Sequence, residues 1–175
     1  SSGSSIVEVA NTLAIQESVS VRIYDAGGTL RETLSYTLPA HGSVHIITDQ
    51  ILSGSEGVAL IQGSDFGSII AVVMQYERTA TAGISYLYGI AAKQALGSVL
   101  RSSYNTFLNQ GCRILLVNPT ETAVSAAVSM VRHDGINALS GYNPTISAHG
   151  MLDYNLCVND VADVYGVVSV QPASA

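Results

Sequence analysis

His41 and His149 are the first residues in this sequence whose type and setting could carry chemistry. Each lies between an alanine and a glycine, at positions 40–42 and 148–150. A metal site or a general base needs further ligands or a charged partner at suitable spacing, and no such group accompanies both histidines. We therefore interpret both as turn residues whose imidazoles bond to the backbone.

Serine, histidine and aspartate all occur, but no spacing singles out a catalytic triad. The segment 63–67, Gly-Ser-Asp-Phe-Gly, places serine second rather than central, which does not fit a nucleophile elbow. The sequence predicts that the protein is not an enzyme.

Acidic and amide side chains gather in the loop after the fourth predicted strand of each half of the chain. These are Asp49 and Glu56 in the first half and Asn159, Asp160 and Asp163 in the second. Oxygen ligands of this kind suit calcium, but their spacing matches no EF-hand, and a solvated acidic loop is favoured. We predict no cofactor. Calcium is the one metal that the oxygen ligands of these loops could bind.

The two cysteines, Cys112 and Cys157, both lie in the second half. A disulfide between them would join an opening strand to a fourth strand and would indicate an oxidising compartment. Two buried free thiols are the other interpretation, and both stay open. A metal site is the least favoured, because two isolated cysteines supply too few ligands.

Tyrosine is unusually frequent, with nine tyrosines against two phenylalanines and no tryptophan. Tyr76, Tyr86, Tyr88 and Tyr104 concentrate near the middle of the chain, as candidate binding or interface residues. Tyr86 and Tyr88 share one face of a predicted strand, so their rings could form a platform for a sugar or a partner protein. The favoured interpretation is that these rings seal the contact between two halves of the chain.

Those residues belong to elements that occur twice. Asn11 recurs as Asn118, Asp25 recurs as Asp134, and the segment 57–62 recurs as 166–171. The Ala-His-Gly segment also occurs twice, and all four matches have spacings of 107 to 109 residues. Matches in one order at a nearly constant spacing predict a tandem duplication of a domain-sized module.

Hydrophobic residues alternate with polar ones at a period of two, as in Val19, Val21 and Ile23, which predicts strands with one buried face. The first copy contains about seven such strands at the spacing of a β-sandwich. The helix formers in 89–96, followed by Gly97, predict one short helix between the copies.

The second copy contains predicted strands at 114–117, 124–131, 139–146, 151–158 and 165–170, and lacks counterparts of residues 69–88. Either the segment 98–107 completes it as an extra strand, or it exposes an edge that a strand of another molecule fills. Both alternatives stay open, with in-chain completion favoured.

Charged residues make up only 11% of the chain against 47% hydrophobic ones, and the formal net charge is −6. Clustered lysine and arginine are absent from the sequence, which argues against nucleic-acid partners. No apolar run is long enough for a membrane helix, so we expect no membrane insertion. This composition is typical of an extracellular wall or fibre protein.

The asparagine of 118–120, the Tyr-Asp-Ala-Gly turn of 24–27 and the Leu-Pro-Ala-His-Gly-Ser segment of 38–43 resemble secreted bacterial tandem Ig-like β-sandwich repeats of unassigned function. The resemblance spans both copies and implies an Ig-like fold and an extracellular setting, and it carries over no catalytic residue. The second copy departs from the pattern where Ser147 replaces Pro39.

The predicted fold class is therefore all-β, with two tandem Ig-like antiparallel β-sandwich modules related by internal duplication. We expect a linker or tag remnant at 1–5, module 1 at 6–90, a linker at 91–105 and a second, incomplete module at 106–175. The expected function is that of a bacterial cell-surface structural or adhesive protein, with a self-assembling filament or surface layer as its setting. Its partners would be copies of itself or other surface proteins, and its leader would precede this chain. A carbohydrate-binding module with a tyrosine platform is the alternative, with a glycan as partner.

Overall fold

The computed structural model describes residues 3–78, 84–93, 99–109 and 111–173. Antiparallel strands dominate these residues, so the predicted all-β class is confirmed. The chain divides into two compact units, Ser1–Gln94 and Ala95–Ala175. None of the helices in the described residues has the length and apolar character needed to cross a membrane.

The described part of unit 1 contains seven strands and one helical turn. The strands are β1 (Gly3–Asn11), β2 (Glu17–Asp25), β3 (Leu30–Leu38), β4 (Ser43–Ile47), β5 (Gly57–Gln62), β6 (Ile69–Arg78) and β7 (Ile84–Ala91). The helical turn α1 (Asp49–Leu52) lies in the loop after β4. The strands form two sheets, one in the order β4-β1-β6-β7 and the other in the order β3-β2-β5.

The core of unit 1 lies between these sheets. The alternating residues Val19, Val21 and Ile23 of β2 are buried, and they pack against Val7 and Val9 of β1. The period-two pattern that identified β2 thus marks its buried face, as expected for a strand that is covered on one side.

The described part of unit 2 contains seven further strands. They are β8 (Leu100–Asn105), β9 (Arg113–Val117), β10 (Val124–Arg132), β11 (Asn137–Tyr142), β12 (Thr145–Ile146), β13 (Met151–Asn155) and β14 (Tyr165–Pro172). One sheet has the order β11-β10-β14-β8, with β12 also paired to β10, and the other is the pair β13-β9. Leu116 of β9 packs with Val128, Met130, Val168 and Val170 in a shared core.

The predicted helix at 89–96 is wrong over 89–93, the part of it that the structure describes. Residues 89–91 end strand β7, where Met74 pairs with Gly89 and Val72 with Ala91 on β6. Local helix propensity amounts to a few tenths of a kcal/mol per residue, about 0.7 at most for ordinary residues, so pairing within a sheet overrides it. Residues 94–96 lie outside the described residues.

Two other expected boundaries differ from the structure. The predicted linker at 91–105 contains strand β8, which belongs to unit 2. The strand predicted at 151–158 ends at Asn155, because a 3-10 turn over Leu156–Asn159 follows, and the side chain of Asn155 caps it by accepting from the amide of Cys157.

Candidate functional site

Both histidines hold turns through their backbones rather than through their rings. His41 and His149 each have a φ of 55°, in the left-handed region where histidine is one of the better-tolerated side chains. The Nε2 atom of His149 lies 2.8 Å from a carboxylate oxygen of Glu121, whereas His41 is exposed. The imidazole of His149 thus faces a carboxylate and not the backbone that we expected. Within the described ranges, no three His, Cys, Asp or Glu side chains are placed to hold a metal ion.

An asparagine fixes the same corner in each unit. The Nδ2 atom of Asn11 donates to the carbonyls of Ile15 and Pro39 at 2.7 and 2.9 Å, and to that of Leu38 at 3.4 Å. Its Oδ1 atom accepts from the amide of Leu13 at 2.8 Å. The side chain is buried, and these bonds satisfy its own amide and oxygen while they tie β1 to the turn that leads into β4.

Asn118 repeats this arrangement in unit 2. Its Nδ2 atom donates to the carbonyls of Thr122, Ile146 and Ser147 at 2.8, 3.1 and 2.9 Å, and its Oδ1 atom accepts from the amide of Thr120 at 3.0 Å. Ser147 takes the place of Pro39 in unit 2, and the turn is the same. The asparagine binds the backbone carbonyl of this residue in both units, so the side chain at this position can differ.

A glycine lies at the first or second position of the strand that pairs with β2 or β10, Gly57 at the first position of β5 and Gly166 at the second position of β14. A Cβ atom at Gly57 would overlap the carbonyl oxygen of Tyr24, and one at Gly166 would overlap that of Val131. Both glycines therefore permit a close approach of two backbones that any other residue would prevent.

The hairpin turns after β2 and after β10 show that Asp134 does not correspond to Asp25 in the structure, although the sequence comparison matched them. Gly28 donates to the carbonyl of Asp25, and Gly135 donates to the carbonyl of Arg132, so Arg132 holds the place of Asp25. The carboxylates of Asp25 and Asp134 still bond amides of their own turns, as predicted for both.

Glu17 is a buried carboxylate that sequence reasoning missed. It accepts hydrogen bonds from the amide of Ser64, from the Ser64 hydroxyl at 2.8 Å and from the Ser68 hydroxyl at 3.0 Å. The backbone and side-chain bonds from Ser64 lower the pKa of Glu17 despite its burial. The first position of β2 is mostly surrounded by the β5–β6 loop, a tertiary contact that no local pattern indicates.

Tyr104, Asp160 and Arg132 form a second buried polar cluster, in unit 2. The Tyr104 hydroxyl donates to Asp160 at 2.6 Å, and Arg132 donates to the same carboxylate from its Nε and Nη2 atoms. Burial, followed by the neighbouring carboxylate, raises the pKa of Tyr104 to about 12. Burial also acts to raise the pKa of Asp160, but the bonds from Tyr104 and Arg132 hold it below its ordinary value.

This cluster changes the interpretation of the acidic loops. Asp160 has a fully buried side chain whose oxygens are already occupied, so it is neither solvated nor an open calcium ligand. In unit 1, Asp49 accepts from the amide of Ser5 at 2.9 Å, which joins α1 to the first strand. In unit 2, Asp163 accepts from the amide of Leu108 at 3.3 Å.

The four candidate tyrosines have different positions. Tyr104 lies in the core of unit 2, with 5% of its surface exposed, and Tyr76 is half-buried on β6. Tyr86 and Tyr88 lie on β7, where they pair with Glu77 and Gln75, and their side chains fall outside the described residues.

An aromatic row that the sequence did not suggest lies on the exposed face of β14 and its neighbours. The Tyr165 ring stacks on His133 at 4.4 Å between centroids and on Phe107 at 6.3 Å. The planes of neighbouring rings lie at 12° and 28° to one another, so the three rings form a stack and not one flat platform.

Cys112 and Cys157 form a disulfide in the structure. The sequence had left open whether they form this bond or remain free thiols. The bond links the segment before β9 to the turn after β13, across 45 residues. The amide of Leu156 also donates to the carbonyl of Cys112, so the disulfide and a hydrogen bond fix the same two segments.

The strand predicted at 98–107 exists as β8, but it does not take the place of β6. It pairs with β14, from Tyr165 opposite Asn105 to Val170 opposite Leu100. In unit 1, β1 has two neighbours, β4 and β6, whereas β9 has β13 alone among the described residues. The edge of β9 that corresponds to the β6 side of β1 is therefore unpaired in the part of the chain that the structure describes. We refer to this edge, residues 113–117, as the β9 edge.

The β9 edge is apolar. The amide of Asn118 donates to Gly150 on the β13 side, and alternation along a strand then directs the amides of Leu115 and Val117 to the open side. The side chains of Leu115 and Val117 are 51% and 47% exposed. Arg113, at the start of the strand, is the only charged residue in it, and it pairs with Asp153 on β13.

The chain matches no protein-family model, and no curated protein matches its sequence.

Proposed function

We propose that this protein is a non-enzymatic structural or adhesive component of a cell exterior, built from two tandem Ig-like copies of one module. In this proposal, copies assemble into a filament or surface layer by strand complementation at the β9 edge. The observation that carries the proposal is that β9 has one strand neighbour where the corresponding strand of unit 1 has two.

The two units support the proposed duplication through contacts that recur at corresponding places. The corner bonds of Asn11 recur at Asn118, the close approach at Gly57 recurs at Gly166, and the pair β4-β1 recurs as β13-β9. Shared turns and shared strand order are what descent from one module would preserve, because both follow from backbone bonding.

The disulfide between Cys112 and Cys157 supports an exterior location. Disulfides persist in oxidising compartments such as the cell surface, whereas cytosolic thiols are kept reduced. The low content of charged residues, 11%, suits surfaces that are covered by neighbouring subunits in an assembly.

The β9 edge supports assembly because sheet edges are usually protected. Lysines, prolines, bulges or covering segments commonly prevent edge strands from pairing with other chains. The sequence Ile-Leu-Leu-Val at 114–117 contains none of the protective residues, and the nearest proline, Pro119, comes after the strand has ended. An open, apolar edge of this kind favours the addition of a strand from another molecule.

Sedimentation velocity of the full chain over a range of concentrations tests the proposal. We expect oligomers that grow with concentration, and the variant Leu115→Pro should remain monomeric because it removes an amide from the open edge. Leu115→Ala is the matched control, since it removes the same side chain, retains the amide and should still assemble. Circular dichroism should show native strand content in both variants. A strictly monomeric wild-type chain, or equal assembly of Leu115→Pro and wild type, would refute strand complementation.

A further inference from the structure

We infer that the β9 edge accepts an extended segment with the side-chain pattern of β6, antiparallel to β9 and in the register that β6 holds on β1. This inference rests on the proposed function, because it names the occupant of the same edge. As in the proposed function, we assign the occupant to another molecule, and unit 1 shows its chemistry.

Unit 1 provides the template. Strand β6 pairs with β1 along nine residues, with Ala71 opposite Val9 and Val73 opposite Val7. Both β6 residues pack against the core, and the two valines of β1 are almost completely buried, at 0% and 2% exposure. A second neighbour thus closes the core over the inner face of β1.

The corresponding residues of unit 2 are covered less completely. Counting from the paired asparagines Asn11 and Asn118, Leu116 corresponds to Val9 and Ile114 to Val7. Leu116 retains 8% exposure, and Ile114 is only partly buried at the border of the core. The strand that lacks its second neighbour therefore exposes the residues that a β6-type strand would cover.

Side-chain size restricts the occupant. Leu116 and Ile114 are each larger than the valine that they correspond to, so less room remains for side chains that enter from the new strand. The inward positions of the occupant must therefore be small or β-branched, as Ala71 and Val73 are in β6. A larger inward side chain would overpack the core, which costs about 1–3 kcal/mol.

The outward positions also match. In the transferred register, the residue in the place of Ile70 lies opposite Val117, and the residue in the place of Val72 lies opposite Leu115. Pairs of β-branched and aliphatic side chains stabilise neighbouring strands, and these would cover the apolar surface that β9 exposes.

Pairing must end at the position of Asn118. In unit 1, Thr12 donates from its amide to Ser68 at 3.0 Å and from its hydroxyl to Gly67 at 2.6 Å, which holds the loop before β6. The corresponding residue of unit 2 is Pro119, which has neither donor. The occupant thus needs only the paired strand, equivalent to Ile69–Gln75, and not the loop that precedes β6.

A synthetic peptide tests the inference against the intact chain. The probe is the sequence of residues 69–75 with a fluorophore and a lysine at each end for solubility. The control peptide changes the two inward residues, at the positions of Ala71 and Val73, to aspartate and retains the outward ones. We expect saturable binding of the probe, at least tenfold weaker binding of the control peptide, and at least tenfold weaker binding of the probe to Leu115→Pro than to Leu115→Ala.

Hydrogen exchange locates the bound peptide. We expect protection of the amides of Leu115 and Val117, which face the open edge. Equal binding of both peptides, or protection confined to the strands of unit 1, would overturn the inference.

The outcomes separate this inference from the proposed function. Peptide binding at β9 by a chain that stays monomeric would refute self-assembly and support the acceptor. Oligomers that form while the peptide does not bind would refute the β6-type acceptor and support assembly through another surface.

Discussion

Asn11 and Asn118 make the same four hydrogen bonds to backbone groups at corresponding corners of the two units. Each side-chain amide donates to three carbonyls, and each side-chain oxygen accepts from the amide two residues ahead. Each therefore ties the end of one strand to the turn that leads into its neighbour, from β1 to β4 and from β9 to β13. In unit 2, this corner holds the strand that carries the open edge.

Replacement of either asparagine should destabilise its own unit. Asn118→Ala removes the side-chain donor to the carbonyls of Thr122, Ile146 and Ser147 and the acceptor for the amide of Thr120, which should lower the free energy of unfolding of unit 2 by at least about 2 kcal/mol. Denaturant unfolding followed by hydrogen exchange, which reports each unit separately, measures the change. Asn143→Ala is the control, since Asn143 is exposed and makes one local bond at 3.3 Å. An equal effect of both variants would contradict the structural role of the corner.

Gly57 and Gly166, near the starts of β5 and β14, should both resist substitution. Gly57→Ala and Gly166→Ala place a Cβ atom against a backbone carbonyl, and relief of that overlap should cost about 1–3 kcal/mol in each unit. Gly111→Ala is the matched control, because nothing lies within 4 Å of its Cβ position. Thermal unfolding by calorimetry should show a lower Tm for the first two variants and an unchanged Tm for the third. Unchanged stability in Gly166→Ala would show that β14 can move away from β10.

Unit 1 should lose stability in acid through Glu17. Its pKa is lowered in the folded state, so the stabilisation that it provides is fully present above its ordinary value of 4.5. That stabilisation is lost as the pH falls below 4.5 and through the lowered folded-state pKa. Glu17→Gln should therefore make the unfolding midpoint of unit 1 less dependent on pH in this range, as measured by urea unfolding at pH 7 and below. Glu56→Gln, on an exposed loop, is the control and should retain the pH dependence of the wild type.

The tyrosine of β8 should anchor that strand to the rest of unit 2. Tyr104→Phe removes the bond to a buried carboxylate, and a hydrogen bond to a charged group contributes about 1.5–3 kcal/mol. Amides of β8 should exchange faster in this variant, whereas those of β1 should not change. In the wild type, ultraviolet titration should show that Tyr104 ionises only near pH 12, and the variant should lack this step. A full complement of tyrosines that titrate near pH 10 would contradict the buried cluster.

The sequence predicted most strands because their burial pattern is local. The alternation of Val19, Val21 and Ile23 reports which face of β2 meets the core, and the recurrence of Asn118 after Asn11 reports a shared corner. The failures concern residues whose conformation depends on distant partners. Residues 89–91 begin a segment whose later alanine, lysine, glutamine and leucine residues favour a helix, yet residues 89–91 form a strand because β6 pairs with them.

Of the candidate site, the sequence by itself determined strand β9 and its apolar character, because Ile114 to Val117 form an unbroken hydrophobic run between Arg113 and Asn118. It also left Cys112 and Cys157 as the one pair that could form a disulfide, and it placed His41 and His149 in two similar turns. Only the tertiary structure decided which edge stays open, since β8 could have paired with β9 or with β14, and no local pattern distinguishes these partners. The partner of a strand depends on how its inward side chains pack against distant residues. In β8, Tyr104 packs in the core of unit 2 and donates to Asp160, which lies far away in the sequence. Such contacts leave no local pattern in the sequence.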